Sequence, residues 1–181
     1  MDKEDAFEFA AQYMKFMCAY RLKMKEEVSL HFVVLDEYNG KQEMCLLPPP
    51  DDGEWQNLDR QHVRAVVVDM VRETKPQYLL TASEAWCVMP KDVAEFSAVM
   101  AFKRANPDAT VEHYPGAKEI LNVFLEGNEV HRTYITEIVN GIPRWPPAVT
   151  DVDKPTKEMS GVLNGMWLEA MTSDLDGEEY H

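Results

Sequence analysis

Residues 28–48 read VSLHFVVLDEYNGKQEMCLLP. Two runs rich in β-branched and aromatic residues flank Asn39-Gly40, a dipeptide that supplies the positive backbone φ angles of a two-residue hairpin turn. The pattern predicts one strand over about 28–37, a second over about 42–48, and antiparallel pairing between them. The segment PPPDDGEWQNLD that follows, from Pro48 to Asp59, can continue neither strand nor helix and is expected as a loop. A hairpin placed this early makes an α+β arrangement the natural frame for the rest of the chain.

Upstream, residues 4–26 read as a long helix. Phe9, Tyr13, Phe16 and Tyr20 form one apolar stripe, and Ala10, Met14, Met17 and Met24 a second beside it. The joint arc is wider than one sheet face needs, which suits a helix covered on two sides or one that also meets a partner chain. Downstream, a helix is expected over about 59–74, with Asp59 as its N-cap and Val63, Val66, Val67, Met70 and Val71 on one face. YLLTASEAWCVM, residues 78–89, then reads as a strand.

Residues 90–116 are the least regular. VAEFSAVMAFKRA suggests a short helix with Val93, Phe96, Val99 and Met100 turned inward, and NPDATVEHYPGA suggests loop. So long a connection between strands marks a candidate lid or recognition segment. Two more strands, KEILNVFLEG and EVHRTYITEIVN, are joined at Gly127-Asn128, and the second ends at Asn140-Gly141. IPRWPPAVTDVDKP is expected to cross the surface extended. A last amphipathic helix over about 156–172 would use Met159, Leu163, Met166, Trp167 and Ala170, and SDLDGEEYH is expected to be disordered. The expected fold is a single α+β domain with about five mainly antiparallel strands and helices packed on one face. Residues 1–145 form the body; residues 146–181 add the proline-rich connector, helix and acidic tail.

The 181 residues carry 32 Asp and Glu against 18 Lys and Arg, a formal net charge of -14. That opposes direct binding to nucleic acid, which needs clustered cations, and to anionic membrane surfaces. It leaves open a mimic of nucleic acid that presents carboxylates to another protein's basic groove. The start MDKEDAFEF lacks a basic segment ahead of an apolar run, so no secretory signal is expected. Cys18, Cys45 and Cys87 have no CxxC spacing and sit among apolar residues, which suits reduced core thiols and a cytoplasmic location.

One residue in YLLTASEAWCVM breaks the pattern. On a regular strand Leu80, Ala82, Glu84, Trp86 and Val88 share a face, so Glu84 lies among apolar neighbours. A carboxylate there needs a partner or a raised pKa, the setting of a catalytic acid or base and equally of a structural polar knot. Arg132, His31, His62 and Arg64 are the partners considered. Ser83, Glu84 and Glu119 are therefore the catalytic candidates, with His31 or His131 in support. The five histidines show no metal-ligand spacing, and no glycine-rich nucleotide loop is present, so neither a metal nor a cofactor is expected. Trp86 and Trp167 look like core residues. Trp55 and Trp145 stand in Pro- and Gly-containing loops, either pinning them or exposed for recognition; Trp55, Trp86 and Trp145 are the binding candidates.

YLLTASEAW, followed after a variable segment by YPGAKEILNVFLEG and a strand pair, resembles a loose group of small proteins encoded largely by bacteriophages and bacteria. In that group a Ser-Glu-Ala-Trp strand precedes a Pro-x-x-x-Glu strand, here Pro115 to Glu119. The resemblance covers roughly residues 28–139 without 90–112. It implies a shared α+β body and a phage origin, brings no activity, and makes Glu84, Trp86 and Glu119 the residues to examine together. The expected function is that of a small acidic accessory protein that binds another protein, such as a host protein. The alternatives are an enzyme or small-ligand binder using Glu84, the nucleic-acid mimic, and a structural homo-oligomer.

Overall fold

The computed structural model describes residues 1–38, 40–50, 53–88, 90–151 and 165–172. Helix α1, Lys3–Met24, is capped by the Asp2 side chain, which accepts from the Asp5 N–H. Strands β1, His31–Tyr38, and β2, Lys41–Leu46, pair antiparallel with Tyr38 opposite Lys41, which leaves two residues for the turn. Gly40 in that turn has a φ of 72°, as Asn-Gly predicts. Helix α2, Arg60–Thr74, follows the loop, with the Asp59 carboxylate accepting from the N–H groups of Gln61 and His62. Then come β3, Tyr78–Val88; α3, Val93–Ala105; β4, Ala117–Gly127; and β5, Val130–Val139. Short strands β6, Ile142–Pro143, and β7, Ala148–Asp151, precede helix α4, Met166–Thr172.

The fold is α+β, with a sheet larger than five strands. Its order is β2-β1-β3-β4-β5-β6, and β7 pairs with β5; every pairing is antiparallel. The extra strands come from the proline-rich segment. Asn140 and Gly141, at φ 54° and 76°, form a two-residue turn that carries Ile142 back against Val139. Further on, Ala148–Asp151 pairs with Ile135–Arg132 instead of crossing the surface unpaired. The β4–β5 turn falls one residue later than the sequence indicates, at Asn128-Glu129, because Gly127 itself pairs with Val130.

Helices cover both faces of the sheet, where one covered face was expected. Strand alternation gives the reason, since β1 and β3 are apolar on both sides. Val33, Leu35, Leu80 and Ala82 pack with Ala10, Met14 and Met17 of α1. Phe32, Val34 and Leu79 pack with Val63, Val67 and Val71 of α2 and with Met166 and Ala170 of α4. In α1 the methionine stripe meets the sheet, while the aromatic stripe lies along its flank, with Phe16 exposed and Phe9, Tyr13 and Tyr20 partly buried; Met24 is exposed. Helix α3 buries no residue, and Val93 and Phe96, expected inward, face solvent. Cys45 is exposed on β2, and Cys18 and Cys87 are only half-buried. The expected helix residues Met159 and Leu163, and the terminal SDLDGEEYH, lie outside the described residues.

Tyr78 stands directly opposite Gly127, and its ring occupies the space a side chain would need. A Cβ on Gly127 would lie 2.3 Å from Tyr78 Cδ1. Gly127→Ala is expected to destabilise the protein by roughly 1–3 kcal/mol in urea unfolding, and by clearly less when Tyr78 is already Val.

Candidate functional site

Glu84 is the centre of a buried charge cluster. Its side chain is 5% exposed. Arg21 Nε donates to Glu84 Oε2 at 2.9 Å and Oε1 at 3.2 Å, and the Val28 N–H donates to Oε2 at 3.1 Å. The Glu84 N–H in turn donates to the Val28 carbonyl at 2.9 Å. Arg21 reaches on to Glu119 Oε1 at 3.5 Å. Glu119 lies directly across from Trp86 and on the same face as Glu84, so the three residues singled out by the Ser-Glu-Ala-Trp and Pro-x-x-x-Glu motifs do come together.

The charges in this cluster act on one another. A side-chain hydrogen bond to Glu84 raises the Glu119 pKa above the ordinary carboxylate range, and burial and the Glu84 charge add to it, against the opposing pull of Arg21. Burial alone would lower the Arg21 pKa, but hydrogen bonding and charge from Glu84, with Glu119 behind it, hold it above its usual value. One guanidinium thus serves two carboxylates.

None of the four partners considered for Glu84 is the one it has. His31 Nδ1 lies 2.7 Å from the Ser29 carbonyl, to which it can only donate, so Nε2 accepts from the Tyr13 hydroxyl at 2.7 Å. Arg132 pairs with Asp151 at 2.6 Å and lies 3.3 Å from the centre of the Phe7 ring. Arg64 on α2 pairs with Glu169 on α4, and His62 is exposed. Arg21 falls on the same α1 stripe as Ala10, Met14 and Met17, and a cation in an apolar stripe was the available signal for a buried carboxylate opposite.

Ser83 belongs to the other face of β3. It borders a cleft of about 130 Å³ with Leu30, Trp55, Arg60 and Val63. The cleft reaches Glu84 as well, but both carboxylate oxygens of Glu84 are engaged by Arg21 and the Val28 N–H. The hydroxyl and the carboxylate therefore do not converge. Trp55 is buried, donates from Nε1 to the Leu47 carbonyl at 3.2 Å and meets Phe32 edge-on, so it pins its loop. Trp86, expected in the core, is 45% exposed, and Trp145 is exposed. Trp167 packs against the core, its Nε1 donating to the Pro76 carbonyl at 3.0 Å.

A second buried carboxylate, absent from the sequence candidates, lies on β4. Glu126 accepts from the Gly165 N–H and, at 3.3 Å, from the Trp167 N–H, and so caps the start of α4. His131 is close, its Nδ1 3.8 Å from Glu126 Oε1, and its ring meets Phe124 edge-on. His131 therefore joins neither Glu84 nor Glu119. Comparison with protein-family models, with curated proteins and with solved structures finds no match to this chain.

Burial pushes the Glu126 carboxyl up to about 7, against the N–H groups of Trp167 and Gly165 and the charge of Arg64. Burial also pulls His131 down to about 4. Between about pH 4.5 and 6.5 the folded pair holds its one proton on Glu126, whereas the unfolded chain holds it on His131. The two linkages have opposite signs and offset each other there. His131→Leu is expected to leave only the Glu126 contribution, so stability falls as pH rises from about 4.5 to about 7. Glu126→Gln leaves the His131 contribution, so stability rises from about pH 4 to about 6.5. Relative to the native chain, urea titrations across this range should show slope changes of opposite sign in the two variants, each spanning on the order of 3 kcal/mol.

Proposed function

We propose that this chain is a small accessory protein that acts by binding another protein, and that it binds through the face formed by the flank of α1 and strand β2. The observation that carries this is the set of large exposed apolar side chains on these two elements. Phe16 is 59% exposed, Met44 55% and Leu46 57%. Phe9 stacks on Tyr13 with ring centroids 5.8 Å apart, and Phe16 meets Tyr13 at a tilt of 49° and 6.3 Å. Gln42 on β2 donates to Asp5 at one end of α1, and His31 on β1 meets Tyr13 further along, so this flank of the helix is turned toward the β1–β2 hairpin. Large apolar groups gathered on one surface mark an interaction site more often than scattered ones do.

The buried charge cluster supports this assignment by fitting a different role. Arg21, Glu84 and Glu119 clasp α1 to β3 and β4, with the hydrogen-bonding capacity of Glu84 directed to the fold. A phage or bacterial accessory protein acting on a host protein in the cytoplasm suits the acidic charge and the resemblance of the Ser-Glu-Ala-Trp segment. Among the described residues no helix is long and apolar enough to cross a membrane.

The test is affinity capture from extracts of the source cell, quantified by mass spectrometry. A partner retained by the native chain should be lost at least tenfold with Phe16→Ser/Met44→Lys, the effect of removing anchor contacts worth about 1.4 kcal/mol or more. Glu84→Gln should retain it in the fraction that folds. Equal retention by the surface variant would remove the proposal.

Removing Arg21 separates clasp from catalyst. Arg21→Met strands a buried carboxylate and is expected to destabilise the protein by about 3–5 kcal/mol in urea unfolding. Adding Glu84→Gln to Arg21→Met should return a large part of that loss, because no uncompensated charge then remains at position 84.

A further inference from the structure

We infer that the occupant of this face is an extended, basic segment of another protein, which adds to the sheet as a strand along β2. The inference rests on the binding surface proposed above and names what that surface takes.

Strand β2 is the end of the sheet, paired only with β1 among the described residues. The hydrogen-bond phase of its open side follows from one contact. The Leu47 N–H donates to the Phe32 carbonyl at 2.9 Å, continuing the register in which Val33 faces Leu46. In an antiparallel ladder, hydrogen-bonded pairs alternate with non-bonded ones. Lys41, Glu43 and Cys45 therefore turn their backbone groups toward β1, and Gln42, Met44 and Leu46 turn theirs outward. These outward-facing residues are the ones whose side chains lie on the α1 face, since their partners Val33 and Leu35 pack against α1. An added strand would thus gain main-chain hydrogen bonds from Gln42, Met44 and Leu46, and place alternate side chains on the apolar row of Met44, Leu46 and the α1 flank.

Charge selects the chemistry of that strand. On the other face of the hairpin, Asp36 and Glu43 stand directly opposite each other, a like-charge pair that opposes strand pairing. A Lys or Arg on an added strand, across from Glu43, would neutralise it. On the α1 side, exposed Asp5 accepts from Gln42 Nε2 at the start of β2. Because strand side chains alternate, the fitting sequence is apolar–cationic–apolar, with the cation opposite Glu43. The end of the edge adds a place for a larger apolar residue, an open depression of about 320 Å³ between Leu46, Pro48, His31 and Trp55. A net charge of -14 attracts a basic segment to the protein as a whole and resists pairing with a second copy.

A selection from a random library of ten-residue peptides, run against the full chain, tests this. The expected enrichment is for proline-free peptides in which Lys or Arg alternates with apolar residues, with amide exchange slowed at Gln42, Met44 and Leu46. Glu43→Lys should weaken those peptides at least tenfold and favour Asp or Glu at the same place. Met44→Pro, which removes an outward N–H and leaves the β1 ladder intact, should abolish their binding. Enrichment of acidic peptides, indifference to Glu43→Lys, or absence of enrichment would overturn the inference. So would a concentration-dependent dimer that protects the same three amides. Peptides that need Phe16 and Met44 but show helical spacing would remove the strand occupant while leaving the binding face in place.

Discussion

The Arg21–Glu84 contact is the constraint on which the rest of this structure depends. It joins the last turn of the first helix to the strand at the middle of the sheet, 63 residues later in the chain. The Val28 backbone closes the same knot in both directions, so the segment that leaves α1 is fixed against β3 before β1 begins. That sets where the hairpin starts, and therefore where β2 finishes the sheet. Glu119 extends the contact to β4, so one guanidinium fixes the relation of a helix to two neighbouring strands. A buried charge held this way acts through geometry: any displacement of α1 would strand a carboxylate without its cation.

The opposite face uses the same device with a different donor. Glu126 on β4 receives backbone N–H groups at the start of α4, where the unpaired amides of a helix end welcome a carboxylate. The ion pair of Arg64 with Glu169 and the indole of Trp167 on the Pro76 carbonyl hold the same short helix from two further directions. A seven-residue helix has little stability of its own, so such anchors, with burial of Met166 and Ala170, are what keep it in place. Adjacent strands thus carry buried glutamates pointing to opposite faces, one for each helical layer.

With helices lying over both faces, the outer backbone groups of the sheet are found along its edges. The β5 side is shielded by β6 and β7, drawn from the proline-rich segment. On the β2 side the strand is exposed throughout, with an aromatic row along α1 beside it. An open, partly apolar edge is a pairing hazard unless it has a use. The strand occupant proposed above would be such a use, and the exposed Glu43 on this strand is what would favour a basic one.

Much of this was legible in the sequence through local chemistry. Asn39-Gly40 fixed the first hairpin, Asp59 capped the second helix, and alternation in YLLTASEAWCVM placed Glu84 on an apolar face, because turns, caps and strand periodicity depend on residues near in sequence. The motif also singled out Glu84, Trp86 and Glu119 together. Which cation would meet Glu84 was not legible as a pairing, since it depends on how a helix lies across a sheet; its only local trace was Arg21 on the methionine stripe. The same holds for Glu126, whose partners lie about 40 residues further on, and for β6 and β7, whose prolines read as a connector until an open edge of β5 was there to pair with them. Trp86, expected in the core, is half exposed for the same reason, while Trp55 took the pinning one of its two readings, since exposure belongs to the packing around a side chain and not to the loop or strand it stands on. The sequence alone determined the first hairpin, the cap of the second helix and the alternation of the long strands, which are governed by short-range sterics and hydrogen bonding. Only the tertiary structure decided which faces were covered, which charges were paired and which edge stayed open, because those depend on contacts between residues distant in the chain.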